Sequence, residues 1–199
     1  MILDVTRNIV AAEGFRAATL ERIAHDCGVT RTLLYQQFTN LGGLLVALID
    51  RESLRAYQGF QKALQPSGHK APVLAAFAGI LDAVHADPDT WRMFLLPSEG
   101  GPAELYERLA AARAMTRTYL TDVITSAGPA ATERLFLAED PELVLHLIHS
   151  TADELVRLHL QAPEKFTRER LMAYAERMAY ASGLLRDKSA PQNAASASR

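Results

Sequence analysis

Residues 19–38 read TLERIAHDCGVTRTLLYQQF, and their pattern predicts two short helices joined at a glycine. Thr19 and Thr30 each stand before a helical run, where a threonine hydroxyl accepts a hydrogen bond from a free amide of the first turn. Gly28 suits the join, because glycine adopts the left-handed conformation of a helix end without steric cost. This arrangement is typical of a helix-turn-helix, which places its second helix in the major groove of DNA.

Apolar spacing separates an inward from an outward face on both helices. The inward residues of the first helix recur at intervals of three and four: Leu20, Ile23, Ala24 and Cys27. In the second helix, Leu34 and Phe38 lie four residues apart and point to the same core. Its outward face carries Arg31, Thr32, Leu33, Tyr35, Gln36 and Gln37. Such side chains can contact base edges and phosphates, although an ordinary helix pair with a polar exterior fits the same pattern.

From Ile2 to Leu45 the sequence resembles the TetR/AcrR family of transcriptional regulators. The matching positions are Ala11-Ala12-Glu13-Gly14-Phe15, Ala18-Thr19, Ile23-Ala24, Cys27-Gly28-Val29-Thr30, Leu34-Tyr35, Phe38 and Leu44-Leu45. The resemblance implies an all-α fold of about nine helices. It divides the chain into a three-helix DNA-binding domain (1–45) and a larger effector-binding and dimerisation domain (46–186). The Ala- and Ser-rich tail, 187–199, is predicted to be disordered.

The resemblance also implies which residues contact DNA. The family's base-contacting positions fall on Arg31, Thr32, Leu33, Tyr35 and Gln36, and its phosphate-contacting positions fall on Thr19, Thr30 and Gln37. Arg31 is the leading candidate for reading a guanine, because a guanidinium matches the O6 and N7 acceptors. Leu33 can touch a thymine methyl. Tyr35 either packs on the domain or reaches a phosphate with its hydroxyl.

Three departures from the family pattern predict weak DNA binding. Leu41 stands where the family has a phosphate-contacting lysine, and Gly42-Gly43, a costly pair near a helix start, follows it. Met1 directly precedes the first helix, where members commonly carry a basic arm. Glu21 lies on the DNA-facing side. Within residues 1–45 four arginines are balanced by four carboxylates, and phosphate neutralisation supplies most nonspecific affinity. Either the dimer and operator compensate, the chain starts further upstream, or DNA binding has decayed.

Beyond residue 45, apolar residues recur at helical spacing and nothing suggests a strand. Helices are expected at Leu41 to about Gln65, from Pro72, after Asp87-Pro88, from Ala103 to about Ser126, after Asp140-Pro141, and from Thr167 to about Arg186. Each Asp-Pro pair offers a capping carboxylate and a proline suited to the first turn. The last two helices are apolar on more than one side. The resemblance makes them the four-helix interface of a homodimer, and burial in a monomer core is the alternative.

The middle helices carry bulky side chains of the kind that line an effector pocket. The candidates are Phe77, Trp91, Phe94, Tyr106, Met115 and Tyr119, each of which also suits a core position. Arg113 and Arg117 either neutralise an acidic effector or are solvated. His146, His149 and Asp153 share one arc of the eighth helix and are further ligand candidates. No metal is assigned, but these three residues, with His85 nearby, are the candidate metal ligands; Arg157 offers Asp153 an ion pair instead.

Composition favours a cytoplasmic globular protein. The chain has 199 residues, a net charge of −2 and a single cysteine, which we expect in the core rather than as a thiol sensor. No membrane span, secretory signal or catalytic motif is found, so an enzyme is not expected. The sequence predicts a homodimeric regulator, usually a repressor in this family, that leaves double-stranded operator DNA when an unknown small-molecule effector binds, without a cofactor. The alternative is a small-molecule-binding or metal-sensing dimer with weakened or lost DNA binding.

Overall fold

The computed structural model describes residues 1–63, 72–96, 99–125 and 140–181, and its regular elements there are all helical. They are α1 (Ile2–Glu13), a 3-10 turn (Phe15–Ala17), α2 (Leu20–Cys27), α3 (Arg31–Phe38), α4 (Leu41–Ala63), α5 (Pro72–Ala86), α6 (Pro88–Leu95), α7 (Ala103–Thr125), α8 (Pro141–Gln161) and α9 (Arg168–Ala181). The predicted all-α fold is confirmed. The ends expected at Gln65, Ser126 and Arg186, and the tail 187–199, lie outside the described residues.

The first three helices and the start of α4 are called here the head (residues 1–45), and their helix ends follow the predicted chemistry. The Thr19 hydroxyl accepts a hydrogen bond from the amide of Arg22, and the Thr30 hydroxyl accepts one from Leu33. Gly28 ends α2 in the left-handed region, with φ 65°. The capped second helix therefore starts at a defined angle to the first.

The glycine pair at the start of α4 is explained by a close approach of backbone segments. A Cβ on Gly43 would overlap the carbonyl oxygen of Phe38, at the end of α3. Asn40 caps this turn, because its Oδ1 accepts a hydrogen bond of 2.7 Å from the amide of Gly43. Leu41 is half-buried and packs against the core of the head. Glycine lowers the helix propensity at this position, but a residue with a side chain would not fit the tight connection between α3 and α4.

The long helix α4 runs from the head into the rest of the chain, called here the body, and joins their cores. Its fully buried apolar residues include Leu44, Leu45, Leu48 and Ile49. They belong to one cluster with Ile23 and Leu34 of the head and with Met93 of α6 and Leu105 of α7. A second cluster, formed by α5, α8 and α9, includes Phe77, Val156 and Leu171. A displacement of α6 or α7 therefore changes the side-chain packing of the head as well.

The two Asp-Pro pairs begin helices in different ways. Asp140 caps α8 as expected, since its carboxylate accepts a hydrogen bond of 2.9 Å from the amide of Leu143. Asp87 stands at the start of α6, but the prediction that its carboxylate caps the backbone was wrong. That carboxylate instead accepts hydrogen bonds from Thr90 Oγ1 and from the Arg7 guanidinium of α1, a charged donor that outcompetes a neutral amide.

Across residues 1–63, 72–96, 99–125 and 140–181, no single helix is long and apolar enough to cross a membrane. The bent pair formed by α3 and α4, which meet at 64°, passes the length and composition criteria together.

Candidate nucleic-acid interface and body cavity

The third helix presents a polar face on an apolar anchor. Leu34 is fully buried and fixes α3 against α2 and α4. The exposed residues of α3 are Arg31, Thr32, Tyr35, Gln36 and Gln37, while Leu33 is half-buried. Tyr35 keeps 46% of its surface exposed, so its hydroxyl is free to reach a phosphate. Thr19 and Thr30 are exposed beside this face, at the N-termini of their helices, where backbone amides favour an anion.

The charge balance of the head takes the form of direct ion pairs. Arg31 pairs with Glu21 at 2.9 Å, and both side chains are exposed. Arg22 pairs with Asp26 at 2.6 Å and with Glu13 at 3.1 Å. Hydrogen bonds from His25 and then Arg22 lower the pKa of Asp26, which keeps that carboxylate charged. Exposed ion pairs contribute little stability, so a DNA phosphate or guanine can replace Glu21 as the partner of Arg31.

Cys27 lies at the edge of the head core rather than on the DNA-facing side. It is half-buried and packs against the buried residues of the head. Burial raises the pKa of its thiol, so the nucleophilic thiolate is disfavoured. This environment favours the structural role over that of a thiol sensor.

A buried polar network at the junction of head and body was missed by the sequence reasoning. Glu52 of α4 is fully buried, and its carboxylate contacts Arg51 at 2.7 Å, Arg55 at 3.1 Å and Thr90 Oγ1 at 2.7 Å. Arg7 of α1 adds an ion pair at 3.4 Å. The signal was available, because Glu52 continues the inward spacing of Leu45, Leu48 and Ile49. A charge at such a position requires buried partners.

The body contains an apolar cavity of about 220 Å³ between α5, α8 and α9. Its lining includes Phe77, Ile80, Ile148, His149, Leu155 and Ala179. Two of the predicted effector-binding residues, Phe77 and His149, thus line one cavity. Its size and apolar lining suit a small organic molecule.

The other bulky candidates lie elsewhere. Trp91 and Tyr119 are half-buried against the α5/α8/α9 cluster, and the Tyr119 ring meets the Tyr57 ring edge-on with centroids 5.4 Å apart. Phe94 belongs to the core shared with the head. Tyr106 and Met115 are exposed, at 42% and 64% of their surface, and do not line the cavity. Helical spacing could not separate these positions, because α7 carries apolar residues around much of its circumference.

Of the two arginines of α7, Arg113 is held by a contact within the body. Arg113 donates hydrogen bonds of 2.6 and 3.0 Å to the carbonyl oxygen of Phe94. Arg113 and Arg117 lower the pKa of Asp153, but desolvation by neighbouring atoms outweighs them and raises it. The predicted arc of α8 is also divided, since His149 is buried and His146 exposed. No group of three or more His, Cys, Asp or Glu side chains in the described part of the chain is arranged to hold a metal.

The outer surface of α8 and α9 carries large apolar side chains. Leu143 and Leu147 of α8 are 53% and 58% exposed, and Tyr174, Met178 and Tyr180 of α9 are exposed as well. Side chains of the same two helices facing inward, such as Val156 and Leu171, are buried in the protomer. The sequence pattern of two apolar sides is therefore explained by one side in the core and one on the surface.

Comparisons with known proteins agree with this architecture. Residues 2–48 match the family model described as bacterial regulatory proteins, tetR family. A comparison with curated proteins finds no match. Among solved structures, the fatty acid degradation regulator FadR from Bacillus halodurans is 19% identical, with a TM-score of 0.65 over 93% of this chain and 98% of that one. A TetR-like transcriptional regulator from Rhodococcus sp. RHA1 is 18% identical, with a TM-score of 0.63 over 89% and 92%.

A third structure, FadR from Bacillus subtilis in complex with stearoyl-CoA, is 17% identical, with a TM-score of 0.62 over 92% of this chain and 96% of that one. At these identities the likeness concerns the fold, while the family model identifies the head. The predicted resemblance is thereby confirmed: residues 2–48 match the model of the tetR family of bacterial regulatory proteins, and about nine-tenths of the chain shares the fold of a TetR-like transcriptional regulator.

Proposed function

We propose that this protein is a cytoplasmic transcriptional regulator that binds a double-stranded DNA operator as a homodimer and leaves it when a small molecule binds in the body. The observation that carries the proposal is the exposed face of α3, which is anchored by Leu34 within a tetR-family domain. A repressor is the form we favour, because release by an effector then switches transcription on. No catalytic role is proposed.

Homodimer formation is supported by the exposed apolar side chains on α8 and α9. Pairing of these helices with those of a second copy would bury Leu143, Leu147 and their neighbours on α9. A two-fold axis through such an interface relates the two heads. Each α3 can then enter one of two successive major grooves, on the same side of the DNA.

Release by an effector is supported by the continuous core of head and body. Met93 and Leu105, on α6 and α7, share a cluster with Ile23 and Leu34 of the head. An effector that binds more tightly to one packing of the body therefore favours one position of the head. Operator affinity falls when that position separates the two heads by a distance that no longer fits the grooves.

Binding of a labelled fragment from the protein's own upstream region, in the presence of nonspecific competitor DNA, tests the proposal. Arg31→Gln should weaken competitor-resistant binding about ten- to a hundredfold, since one base contact is lost. Arg92→Gln is the matched control, because it also removes an arginine from an exposed ion pair, with Asp89 at 3.0 Å on α6. Equal affinities of the two variants would contradict the assignment of α3 as the recognition helix.

Glu21→Gln sharpens the same experiment. It removes the carboxylate that holds Arg31 and leaves a neutral side chain of the same size. We expect binding to tighten roughly two- to fivefold, the scale of an exposed ion pair. Weaker binding by this variant would mean that Glu21 positions Arg31 for the operator rather than competing with it.

A second function is favoured by the pairing of Arg31 with Glu21 and by Leu41 in place of a basic residue. In this alternative the protein is a ligand-binding dimer whose DNA binding has weakened or been lost. It predicts no competitor-resistant binding to any upstream fragment, while the protein remains folded and dimeric.

A further inference from the structure

The cavity between α5, α8 and α9 is lined by apolar side chains and by two polar ones, Thr151 and His149, of which His149 points to a ligand. His149 lines it and keeps only 5% of its surface exposed. Its Nε2 is buried and has no hydrogen-bond partner among the described residues. Native proteins satisfy nearly all buried polar atoms, so an orphaned ring nitrogen beside an apolar space calls for a partner.

The protonation state of His149 defines what that partner must supply. Burial lowers the pKa of the ring, and the charges of Arg117 and His146 lower it further, so the imidazole is neutral at pH 7. The backbone carbonyl of Leu145 favours a proton on the ring, and because Nε2 has no partner, we assign that proton to Nδ1. The neutral ring carries one proton, which leaves Nε2 as an acceptor. The missing partner is therefore a hydrogen-bond donor.

The volume and lining of the cavity define the size and polarity of the ligand. An engineered cavity of about 150 Å³ lined by Leu, Ile and Phe holds benzene, so the 220 Å³ found here has room for roughly nine non-hydrogen atoms. The lining is apolar, with side chains such as Phe77, Ile80 and Leu155, and would leave a charged group without solvation. A water molecule could satisfy Nε2 but would leave most of the apolar space unfilled.

We propose that this cavity binds an uncharged, largely apolar molecule of roughly nine non-hydrogen atoms whose single hydroxyl group donates a hydrogen bond to Nε2 of His149. Small alkylphenols and medium-chain alcohols have this chemistry. The inference rests on the proposed function, in which it supplies the chemical class of the effector. The cavity is lined by residues of α5, α8 and α9, so a ligand that binds more tightly to one packing of these three helices favours that packing.

The test compares 4-propylphenol with propylbenzene, which has the same shape without the hydroxyl, by calorimetric titration of the full chain without DNA. We expect 4-propylphenol to bind at least about fivefold more tightly, the scale of one hydrogen bond. Octanoate, a chain of similar size that carries a carboxylate, should bind more weakly than the phenol. Equal affinities for phenol and propylbenzene, or tightest binding of octanoate, would overturn the proposal.

The variant His149→Leu isolates the proposed contact. It should abolish the preference for the phenol and retain propylbenzene, because the cavity remains apolar. His146→Leu is the matched control, an exposed histidine three residues earlier on α8, and should keep the preference. If His149→Leu does not fold, the ring 15N shifts of His149 in the wild type replace it: an Nε2 signal that moves with 4-propylphenol and not with propylbenzene supports the contact, and an unmoved signal overturns it.

Other occupants of the cavity give distinct results. Leu147 and Met178 line it and are also exposed, so a side chain of a second copy could fill the space. In that case none of the three probes binds the dimer, and the proposal is overturned. Because these titrations contain no DNA, their failure leaves the proposed regulator intact, whereas failure of operator binding leaves the ligand class of the cavity intact.

Discussion

At the scale of single residues, two buried polar side chains, Glu52 and His149, stand out because each lies among apolar residues. Glu52 lies in the core between head and body, surrounded by three guanidinium groups and a threonine hydroxyl. His149 lies against the apolar cavity with one nitrogen unpaired. The carboxylate of Glu52 has hydrogen-bond and ion-pair partners within the protein and contributes to stability. The Nε2 atom of His149 has no such partner and is proposed to bind a ligand.

Removal of the Glu52 carboxylate should destabilise the protein strongly. Glu52→Ala removes the buried carboxylate that Arg7 and Thr90 Oγ1 contact in addition to Asp87, and loss of one member of a buried ion pair costs about 3 kcal/mol or more. Urea unfolding, followed by fluorescence of the single tryptophan, Trp91, measures the free energy of unfolding. Asp89→Ala is the control, because its ion pair with Arg92 is exposed and is worth at most about 1 kcal/mol. Similar losses in the two variants would contradict the role given to Glu52.

The lowered pKa of His149 predicts a dependence of stability on pH. The unfolded chain binds a proton near pH 6.5, whereas the folded ring resists it. Stability from this group is therefore complete above pH 6.5 and decreases as the pH falls below it, until the folded ring protonates. Between pH 7.5 and 5.5 the wild type should lose more stability than His149→Leu, by at most about 1.4 kcal/mol, because pH 5.5 lies one unit below the pKa of the unfolded ring. Asp153 is present in both proteins, so the opposite effect of its raised pKa cancels in this difference.

The control for this pH dependence is His146→Leu, which should keep most of it, because burial is the largest cause of the lowered pKa of His149 and His146 is the smallest. Parallel curves for wild type and His149→Leu would show that the ring is not buried in solution.

At the scale of elements, the connection between α3 and α4 is a sterically restricted turn of the head. The carbonyl of Phe38 occupies the space that a side chain at Gly43 would need, and Asn40 caps the same turn. Movement of α4 is therefore transmitted to the exposed face of α3 through backbone contacts. This is the mechanical link that the proposed effector release requires.

Two alanine substitutions in α4 should have opposite effects. Gly43→Ala forces the carbonyl of Phe38 away and should cost about 1–3 kcal/mol of stability, as overpacking does. Gly59→Ala lies in the same helix, where the nearest atom to a new Cβ is Ala83 Cβ at 3.9 Å. It should stabilise the protein by about 0.5–1 kcal/mol through helix propensity alone. Chemical denaturation of both variants distinguishes them, and a stabilised Gly43→Ala would disprove the close approach.

The sequence predicted the elements that depend on local chemistry. Thr19, Thr30 and Gly28 determine helix ends through their own hydroxyls and backbone, so their roles were readable without the fold. Asp87 and Gly43 were misjudged, because the Arg7 and Phe38 atoms that decide their roles come from other elements. The same reason explains the candidate site: the exposed residues of α3 followed from periodicity, whereas the cavity required the relative placement of α5, α8 and α9.

At the scale of the whole molecule, the head and the body share a core, and the outer surface of α8 and α9 carries large apolar side chains. The proposed dimer uses that surface, so a charge placed there should prevent assembly. Leu143→Glu, at a position that is 53% exposed in the protomer, would bury a carboxylate without a partner in the interface. Sedimentation velocity should give a dimer for the wild type and a monomer for this variant.

The matched control for Leu143→Glu is Tyr106→Glu on α7, whose ring is 42% exposed away from α8 and α9. This variant should remain dimeric. A dimer that survives Leu143→Glu and is lost with Tyr106→Glu would place the interface on α7.

The most direct test of the central claim is a salt titration of wild-type binding to a labelled fragment of the protein's own upstream region, with nonspecific competitor present. The account predicts saturable, competitor-resistant binding whose logarithmic affinity falls linearly with the logarithm of salt concentration, as phosphate contacts require. The slope should be shallow, because Arg7, Arg22 and Arg31 of the head already have carboxylate partners. Binding that competitor DNA removes at every salt concentration, from a protein that is folded and dimeric, would contradict the account.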